Sequence, residues 1–227
     1  MSSKTSSELD GMIYGMLLGD GCIRKPTKAG TCNFVLHHSA KQKEYFFSKL
    51  ALLEEVSHVK TNYWEKSHFS KKNQKTYYSI YGQSNFLNYF KKLRDVFYNS
   101  EGTKIVTETI LKKLTPLGLA LWWMDDGCLY VKRHKNSTIE RRAFLSTCSF
   151  TEEEHVLIKQ YFFSRWNLNV TIRQHPKTKY RYISFPVEDF KKFVEIIKEH
   201  VVPSMQYKID YNKELNLKTG PKPRVGE

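Results

Sequence analysis

Two apolar stretches that end in Asp-Gly-Cys dominate the pattern of hydrophobic and polar positions along this chain. The first covers residues 13–22 and the second covers residues 119–128. An apolar run that closes on a carboxylate and a glycine predicts a buried helix with an acid at its C-terminal end, and the glycine lets the chain turn away. The two acids, Asp20 and Asp126, are separated by close to half of the 227 residues.

Two helices of this kind, packed side by side, would bring the two carboxylates together. Neighbouring carboxylates repel each other, so they need a divalent cation between them or a shared proton. A single aspartate before a glycine is more often a simple turn residue at a helix end. However, the helix dipole disfavours an acid at a C-terminus, and two copies at half-chain spacing favour a metal site.

The rest of the chain repeats with the same spacing. Matching strand-like segments precede charged or amphipathic helices in both halves, namely 34–39, 77–81, 144–149 and 181–185. Each half then ends in a lysine near a strand-like or loop segment, Lys104 in the first and Lys208 in the second. A period of this length indicates a domain duplication, since solenoid repeats span roughly 20–50 residues. Each repeat is predicted to be helix, two strands, helix, two strands, helix, which is an α+β fold with antiparallel sheets.

The duplication divides the chain into four parts. Residues 7–100 form the first repeat, 101–114 a linker that carries Lys104, 115–212 the second repeat, and 213–227 a basic, flexible tail. Thr115 followed by Pro116 predicts the N-cap and first position of the second motif helix. Polar or basic loops are predicted at 24–30, 60–76, 131–142 and 174–180.

Composition narrows the class of partner. Lys and Arg number 37 against 23 Asp and Glu, and this net charge of +14 implies a polyanion. Nucleic acid is favoured over a membrane, because no apolar run approaches the roughly 18–20 residues of a membrane span. The first nine residues are polar and do not resemble a signal peptide. The four cysteines lack paired CxxC spacing, so a zinc site is not expected. We predict that they are small buried residues of a protein in a reducing, intracellular compartment.

The two apolar stretches resemble the LAGLIDADG motif of homing endonucleases. The first copy matches that nine-residue signature at Gly15, Asp20 and Gly21. The second copy matches it at Leu119, Ala120, Asp126 and Gly127. Gly15 aligns with Leu121, which predicts an asymmetric seam with larger side chains of the second helix resting on glycines of the first.

The resemblance covers nearly the whole chain and implies a monomeric protein with two αββαββα repeats. Its antiparallel sheets would form a saddle that grips double-stranded DNA, with the motif helices at the central seam. It implies a homing endonuclease that makes a double-strand break at a long asymmetric site, with Mg²⁺ or Mn²⁺ as cofactor. Because protein-splicing features are not evident, a free-standing or intron-encoded protein is expected. The alternative is an RNA maturase or a non-cleaving nucleic-acid-binding protein on the same fold, and only then is RNA a partner.

The resemblance also implies roles for individual residues. The catalytic set would be Asp20, Asp126, Lys104 and Lys208. The metal would be held by Asp20 and Asp126 together with their motif turns, which contain Gly19 and Asp125. Asp125 replaces the glycine that precedes the first acid, so it either supports the metal from outside its ligands or faces solvent.

Basic residues near the predicted strand ends are the candidate DNA contacts. Loop lysines would touch phosphates, whereas Arg or Asn on a strand could recognise base edges in the major groove. The predicted set is Arg24, Lys25, Lys28, Asn33, His37, Lys71, Lys72, Lys75, Lys132, Arg133, Arg141, Arg142, Arg173, Lys177, Lys179 and Arg181. The pair His37-His38 is not expected to bind metal together, because adjacent residues on a strand point to opposite faces.

Overall fold

The chain folds as two copies of one order of helices and strands, which the computed structural model describes over residues 6–58, 60–133 and 139–211. The first copy contains α1 (Ser6–Leu18), β1 (Cys22–Ile23), β2 (Phe34–Ser39), α2 (Lys43–Ser57), β3 (Thr61–Ser70), β4 (Lys75–Ser84) and α3 (Asn88–Phe97). After the short linker helix α4 (Glu108–Lys112), the second copy contains α5 (Pro116–Asp126), β5 (Gly127–Arg133), β6 (Ile139–Leu145), α6 (Glu152–Trp166), β7 (Thr171–Gln174), β8 (Arg181–Phe185) and α7 (Val187–Ile197). The predicted α+β fold with two αββαββα repeats is therefore confirmed. The predicted tail at 213–227 lies outside the described residues.

Each repeat builds one four-stranded antiparallel sheet. The strand orders are β1-β2-β4-β3 and β5-β6-β8-β7, so the two sheets have the same topology. Along β2, Phe34, Leu36 and His38 are buried while His37 and Ser39 are exposed, which is the alternation of a sheet with one covered face. Helix α2 covers the first sheet and helices α6 and α7 cover the second. The other face of each sheet, called the open face below, carries the exposed residues of this alternation.

Two of the predicted loops are largely strand. Most of 60–76 belongs to β3 and β4, with only 71–74 left as the turn, and β5 and β6 take up all of 131–142 except 134–138, which is not described. The polar composition was misleading because nearly all of β3 is exposed, so it lacks the apolar alternation of a half-buried strand. The predicted turn at 174–180 does join two strands, β7 and β8.

Helices α1 and α5 pack against each other through glycine. A Cβ atom on Gly15 would lie 2.1 Å from the carbonyl oxygen of Gly118, and one on Gly118 would lie 2.2 Å from the carbonyl oxygen of Gly11. The two backbones are therefore in direct contact. The expectation that larger side chains of the second helix rest on glycines of the first is confirmed at Gly19, where the neighbour is the Asp125 side chain. It is wrong at Gly15, because the neighbour there is the backbone at Gly118.

The ends of these two helices follow from local chemistry. The Thr115 side chain accepts a hydrogen bond from the Gly118 amide and Pro116 occupies the first turn, as predicted. The glycines after the acids act differently from the prediction, because neither has the positive φ of a left-handed cap. A Cβ on Gly127 would lie 2.2 Å from the Trp123 ring, and one on Gly21 would lie 2.6 Å from the Phe34 ring. These glycines leave room for aromatic side chains.

The core is aromatic-rich, and the cysteines contribute less to it than expected. Trp123 contacts Phe185, Phe190 and Phe193 with ring centroids 5.2–5.6 Å apart, so the second motif helix sits on an aromatic cluster. Among the cysteines only Cys32 is buried; Cys22 and Cys148 are exposed and Cys128 is half-buried. In the part of the chain that the structure describes, no helix combines the length and the apolar content that crossing a bilayer requires.

We predict that Gly15→Ala destabilises the protein by about 3 kcal/mol or more, since the new methyl group meets backbone that cannot move aside alone. Urea denaturation measures the free energy of unfolding. Met12→Leu, a change of similar volume at a fully buried position on the same helix, should cost less than about 1.5 kcal/mol. Equal stability of Gly15→Ala and the unchanged protein would contradict the close backbone contact.

Candidate active site

The seam between α1 and α5 delivers the two matched acids to one place. Asp20 lies two residues after the end of α1, and Asp126 is the last residue of α5. The pKa of Asp126 is raised to about 7, chiefly by burial and also by the charges of Asp20 and Asp125. Burial also raises the pKa of Asp20, and Asp125 adds to that shift. Three carboxyl groups therefore share a partly buried region, as crowded acids do where a cation is to be bound.

Each motif turn is bonded by one of the two predicted lysines. Lys104 Nζ donates to the carbonyl oxygens of Gly19 and Gly21 at 3.0 and 2.9 Å. Lys208 Nζ donates to the carbonyl oxygens of Met124 and Asp125 at 2.5 and 3.0 Å. Cations at these positions satisfy carbonyls that a helix end leaves without an internal partner.

The charge state of these lysines is set by two opposing effects. Burial lowers the pKa of both Lys104 and Lys208, and the nearby aspartates Asp20, Asp125 and Asp126 act in the opposite direction. Both lysines bond the carbonyl of the residue before the matched acid, although their second partners and their local sequences differ.

Asp125 does not face solvent, so that alternative is wrong. Its side chain is fully buried, and both of its carboxylate oxygens accept two hydrogen bonds. Lys49 Nζ donates to both oxygens at 2.9 and 2.7 Å, the Tyr45 hydroxyl donates to Oδ1 at 2.8 Å, and the Asp20 amide donates to Oδ2 at 2.9 Å. Its carboxylate is therefore already occupied, so of its oxygens only the backbone carbonyl, which also accepts a bond from Lys208, could bind a cation.

Lys49 and Tyr45 are the functional-site residues that the sequence analysis missed. Lys49 is fully buried on α2. A signal was present, because Tyr45, Phe46, Leu50 and Leu53 form a buried stripe at helical spacing and Lys49 falls within it. A lysine in such a stripe needs a buried partner.

His38 completes this buried network. Its Nε2 lies 3.3 Å from Lys49 Nζ, and its Nδ1 lies 3.8 Å from Asp20 Oδ2. The pKa of His38 is lowered to about 4, chiefly by burial and also by the charge of Lys49. An ammonium group can only donate, so Nε2 is the acceptor and Nδ1 carries the hydrogen.

Asp20, His38 and Asp125 have ligand atoms within 4.8 Å of one another. Since Asp125 and His38 Nε2 are already engaged with Lys49, we assign this cluster to the hydrogen-bond network and not to a three-residue metal site.

The donor set at the two motif turns fits a hard divalent cation. Asp20 and Asp126 supply carboxylate oxygens, and the carbonyls of Gly19 and Asp125 retain a second lone pair beside their bonds to the lysines. Oxygen ligands of this kind suit Mg²⁺ or Mn²⁺, whereas sulfur and imidazole would indicate a softer metal.

Several predicted DNA contacts lie on the open faces or at their edges. Strand alternation places His37, Lys132, Arg142 and Arg173 on open faces. Arg24 donates to Gln83, which pairs with Val35 on the open face of the first sheet. The remaining lysines lie between strands or at a strand end, at Lys25, Lys28, Lys71, Lys72, Lys75, Lys177 and Lys179.

Three predicted contacts do not present an exposed side chain on the open faces. Asn33 is fully buried. Arg141 donates to the carbonyl oxygen of Tyr211 at 2.8 Å, and Arg181 forms an ion pair with Glu152 at 2.8 Å on the helix-covered side. A shift of one residue along a strand reverses the face, which the sequence alone did not resolve. The side chain of Arg133 lies outside the described part of the chain.

An aromatic row on the first open face was also missed. His37 stacks on Tyr81 with ring centroids 4.3 Å apart, and Tyr81 stacks on Trp64 at 5.6 Å. Lys66 Nζ lies 5.5 Å from the Tyr81 ring. On the second open face, Phe144 and Tyr182 form the corresponding pair at 5.4 Å. The two open faces thus differ in chemistry.

The sequence model of the LAGLIDADG DNA endonuclease family matches residues 11–193 of this chain. The chain belongs to this family. Its solved relatives include the homing endonuclease I-WcaI bound to its DNA recognition sequence, with a TM-score of 0.77, 21% identity, and coverage of 92% of this chain and 88% of that one. That likeness shows that this LAGLIDADG chain shares the fold.

Curated relatives of this LAGLIDADG protein differ in length. A probable intron-encoded endonuclease of Wickerhamomyces canadensis is 28% identical over 203 residues, which are 88% of this chain and 83% of that protein. The RecA protein of Mycobacterium gastri is 26% identical over 204 residues, which are 87% of this chain. The chain spans 46% of that RecA protein, so it corresponds to less than half of the first relatives it matches.

We predict that Lys49→Met destabilises this LAGLIDADG protein by about 3–5 kcal/mol, because it leaves the Asp125 carboxylate buried without its cation. Chemical denaturation measures the loss. Lys43→Met, which removes an exposed ion pair to Glu65 from the same helix, is the matched control and should change stability little. Similar effects of the two variants would contradict the importance assigned to the buried pair.

Proposed function

We propose that this chain is a site-specific endonuclease that cuts both strands of DNA at a long asymmetric site. The observation that carries the proposal is the pairing of Asp20 and Asp126, each with its own lysine over its motif turn. Each acid also lies within two residues of the first strand of its sheet. Two acids related by a repeat suit the two strands of one duplex, and family membership supports the same chemistry.

In this proposal Asp20 and Asp126, with the carbonyls of Gly19 and Asp125, would hold Mg²⁺ or Mn²⁺. The metal would neutralise charge on the scissile phosphate and lower the pKa of a bound water. Lys104 and Lys208 place positive charge beside both acids, where it would stabilise the extra negative charge of the pentavalent phosphate.

The open faces would supply sequence recognition. On the second sheet, Arg142 and Arg173 can bond base edges in the major groove. On the first sheet, the stacked row of His37, Tyr81 and Trp64 offers a different surface. Because the two surfaces differ, the DNA site would be non-palindromic.

One chain carries both acids, so we propose that it acts as a monomer. A double-strand break in an allele that lacks the intervening element would provoke repair that copies it, which is intron homing. Incubating the protein with a library of double-stranded DNA and Mg²⁺, and then sequencing the new ends, tests the proposal. Recovery of one recurrent long site is expected, and an uncut library would contradict it.

We predict that Asp20→Asn and Asp126→Asn each slow cleavage by at least about a hundredfold, because each removes charge from the proposed metal site. DNA binding should survive, since neither change alters the open faces. Cleavage of a plasmid carrying the recovered site and gel-shift titration measure the two effects.

Asp95→Asn is the control for these variants, because Asp95 is an exposed acid of α3 paired with Lys91. It should cleave normally. Cleavage by either motif variant near the unchanged rate would refute the metal assignment. If the protein were instead an RNA maturase, it would support intron splicing, and both variants would retain that activity.

We predict that DNA binding weakens steeply with salt. Lysine and arginine contacts to phosphate release counterions, so log K should fall linearly with log salt by about 0.9 per phosphate neutralised. Fluorescence titrations at several salt concentrations give the slope. A flat response would mean that the charge of +14 is not used in binding.

A matched pair of variants locates the contact surface. Arg173→Gln removes a cation from the open face of the second sheet, whereas Arg181→Gln removes one from the helix-covered side of the neighbouring strand. The first should weaken binding by about tenfold or more, and the second should leave affinity nearly unchanged. The reverse order of effects would show that DNA does not bind to the open face of the second sheet.

A further inference from the structure

The two repeats place chemically different side chains at the same buried position. Lys49 and Ile158 are each the seventh residue of a 15-residue helix, α2 and α6, and both are fully buried. The equivalence follows from the sheet register, because Cys22 lies opposite Val35 and Cys128 lies opposite Phe144.

The residues before the two acids differ in the same way. Gly19 precedes Asp20, and Asp125 precedes Asp126. Asp125 of the second repeat thus pairs with Lys49 of the first. At the symmetry-equivalent pair of positions, the first repeat has Gly19 and the second has Ile158. The fold therefore already accommodates an uncharged pair, Gly19 and Ile158, at these positions.

The ion pair of Lys49 and Asp125 contacts the turn that carries Asp20. Asp125 Oδ2, held by Lys49 Nζ at 2.7 Å, accepts the Asp20 amide at 2.9 Å. A Cβ on Gly19 would lie 2.4 Å from the same oxygen, so the carboxylate also lies tightly against the turn that carries Asp20. The contact fixes the backbone of Asp20 without using the Asp20 carboxylate.

We propose that Lys49 and Asp125 are positioning residues that hold the Asp20 turn in its reactive place, so that the two halves of the site are supported unequally. The proposal rests on the endonuclease function proposed above. The Lys49 ammonium holds the Asp125 carboxylate in place, and that carboxylate orients Asp20 by accepting a hydrogen bond from the Asp20 amide. Asp126 has no equivalent support, because Gly19 offers no side chain at the corresponding position.

Energetics support a role beyond stability. A buried ion pair often contributes no more stability than a well-packed apolar pair, because desolvation offsets the attraction between the charges. Removing one partner alone is costly, so the informative change replaces both. The double variant Lys49→Ile with Asp125→Gly copies the chemistry that the other half already uses.

The test compares this double variant with the unchanged protein and with Ile158→Val, a control at the equivalent buried position. The double variant should fold with a similar denaturation midpoint and bind the cleavage site with affinity within about threefold of the unchanged protein, because no open-face residue is changed. In the metal-free and DNA-free protein, the amide hydrogen of Asp20 should exchange with solvent faster.

Cleavage should then become unequal between strands. A displacement of about 1 Å at a reacting group can cost about a hundredfold in rate, so one strand should be cut about a hundredfold more slowly and nicked plasmid should accumulate. Ile158→Val should cut both strands in the ratio of the unchanged protein.

Each of the following results would overturn the proposal. The double variant could cut both strands at unchanged rates, or slow both strands equally as a general loss of stability would. It could also fail to fold, which would show that the pair serves stability. Amide exchange at Asp20 does not depend on cleavage, so it tests this proposal separately from the proposed function. If the protein without substitutions cuts no DNA, the proposed function is refuted. If the double variant exchanges the Asp20 amide at the same rate as that protein, the positioning role is refuted.

Discussion

The direct contact between the backbones of α1 and α5 determines where the two acids and the two sheets lie. Gly15 and Gly118 allow it, because a side chain at either position would strike a carbonyl of the opposite helix. The contact brings two helix ends together, and with them Asp20 and Asp126. Each sheet then starts within two residues of its acid, so the seam also sets where the open faces lie relative to the site.

Crowding of acids at the end of this seam explains the placement of the buried cations. Burial raises the pKa values of Asp20 and Asp126, the charge of Asp125 raises both further, and the charge of Asp20 adds to the shift of Asp126. Lys49 neutralises Asp125 directly, while Lys104 and Lys208 bond the carbonyls of the motif turns. The cations thus leave the carboxylates of Asp20 and Asp126 available, and satisfy groups that the helix ends leave without partners.

Much of this arrangement could be predicted from sequence because it repeats. The spacing of Asp20 and Asp126 and the matched strand-helix segments gave the order of elements, and Thr115-Pro116 gave a helix start. Properties that depend on three-dimensional partners could not be predicted. The face on which Arg141 and Arg181 lie depends on strand register, and the burial of Asp125 depends on a lysine far away in the sequence. The strand β3 was missed because it is exposed on both faces and has no apolar alternation.

The cross-repeat pairing of Lys49 with Asp125 has a consequence for how such a chain can assemble. A symmetric dimer of two first repeats would bury Lys49 opposite glycine, leaving an ammonium group without a carboxylate. A symmetric dimer of two second repeats would bury Asp125 opposite Ile158, leaving the opposite charge unpaired. Both arrangements carry the penalty of an isolated buried ion. Each half therefore accepts only the other as its neighbour, and the ancestral symmetry of the duplication can no longer be restored by separating the repeats.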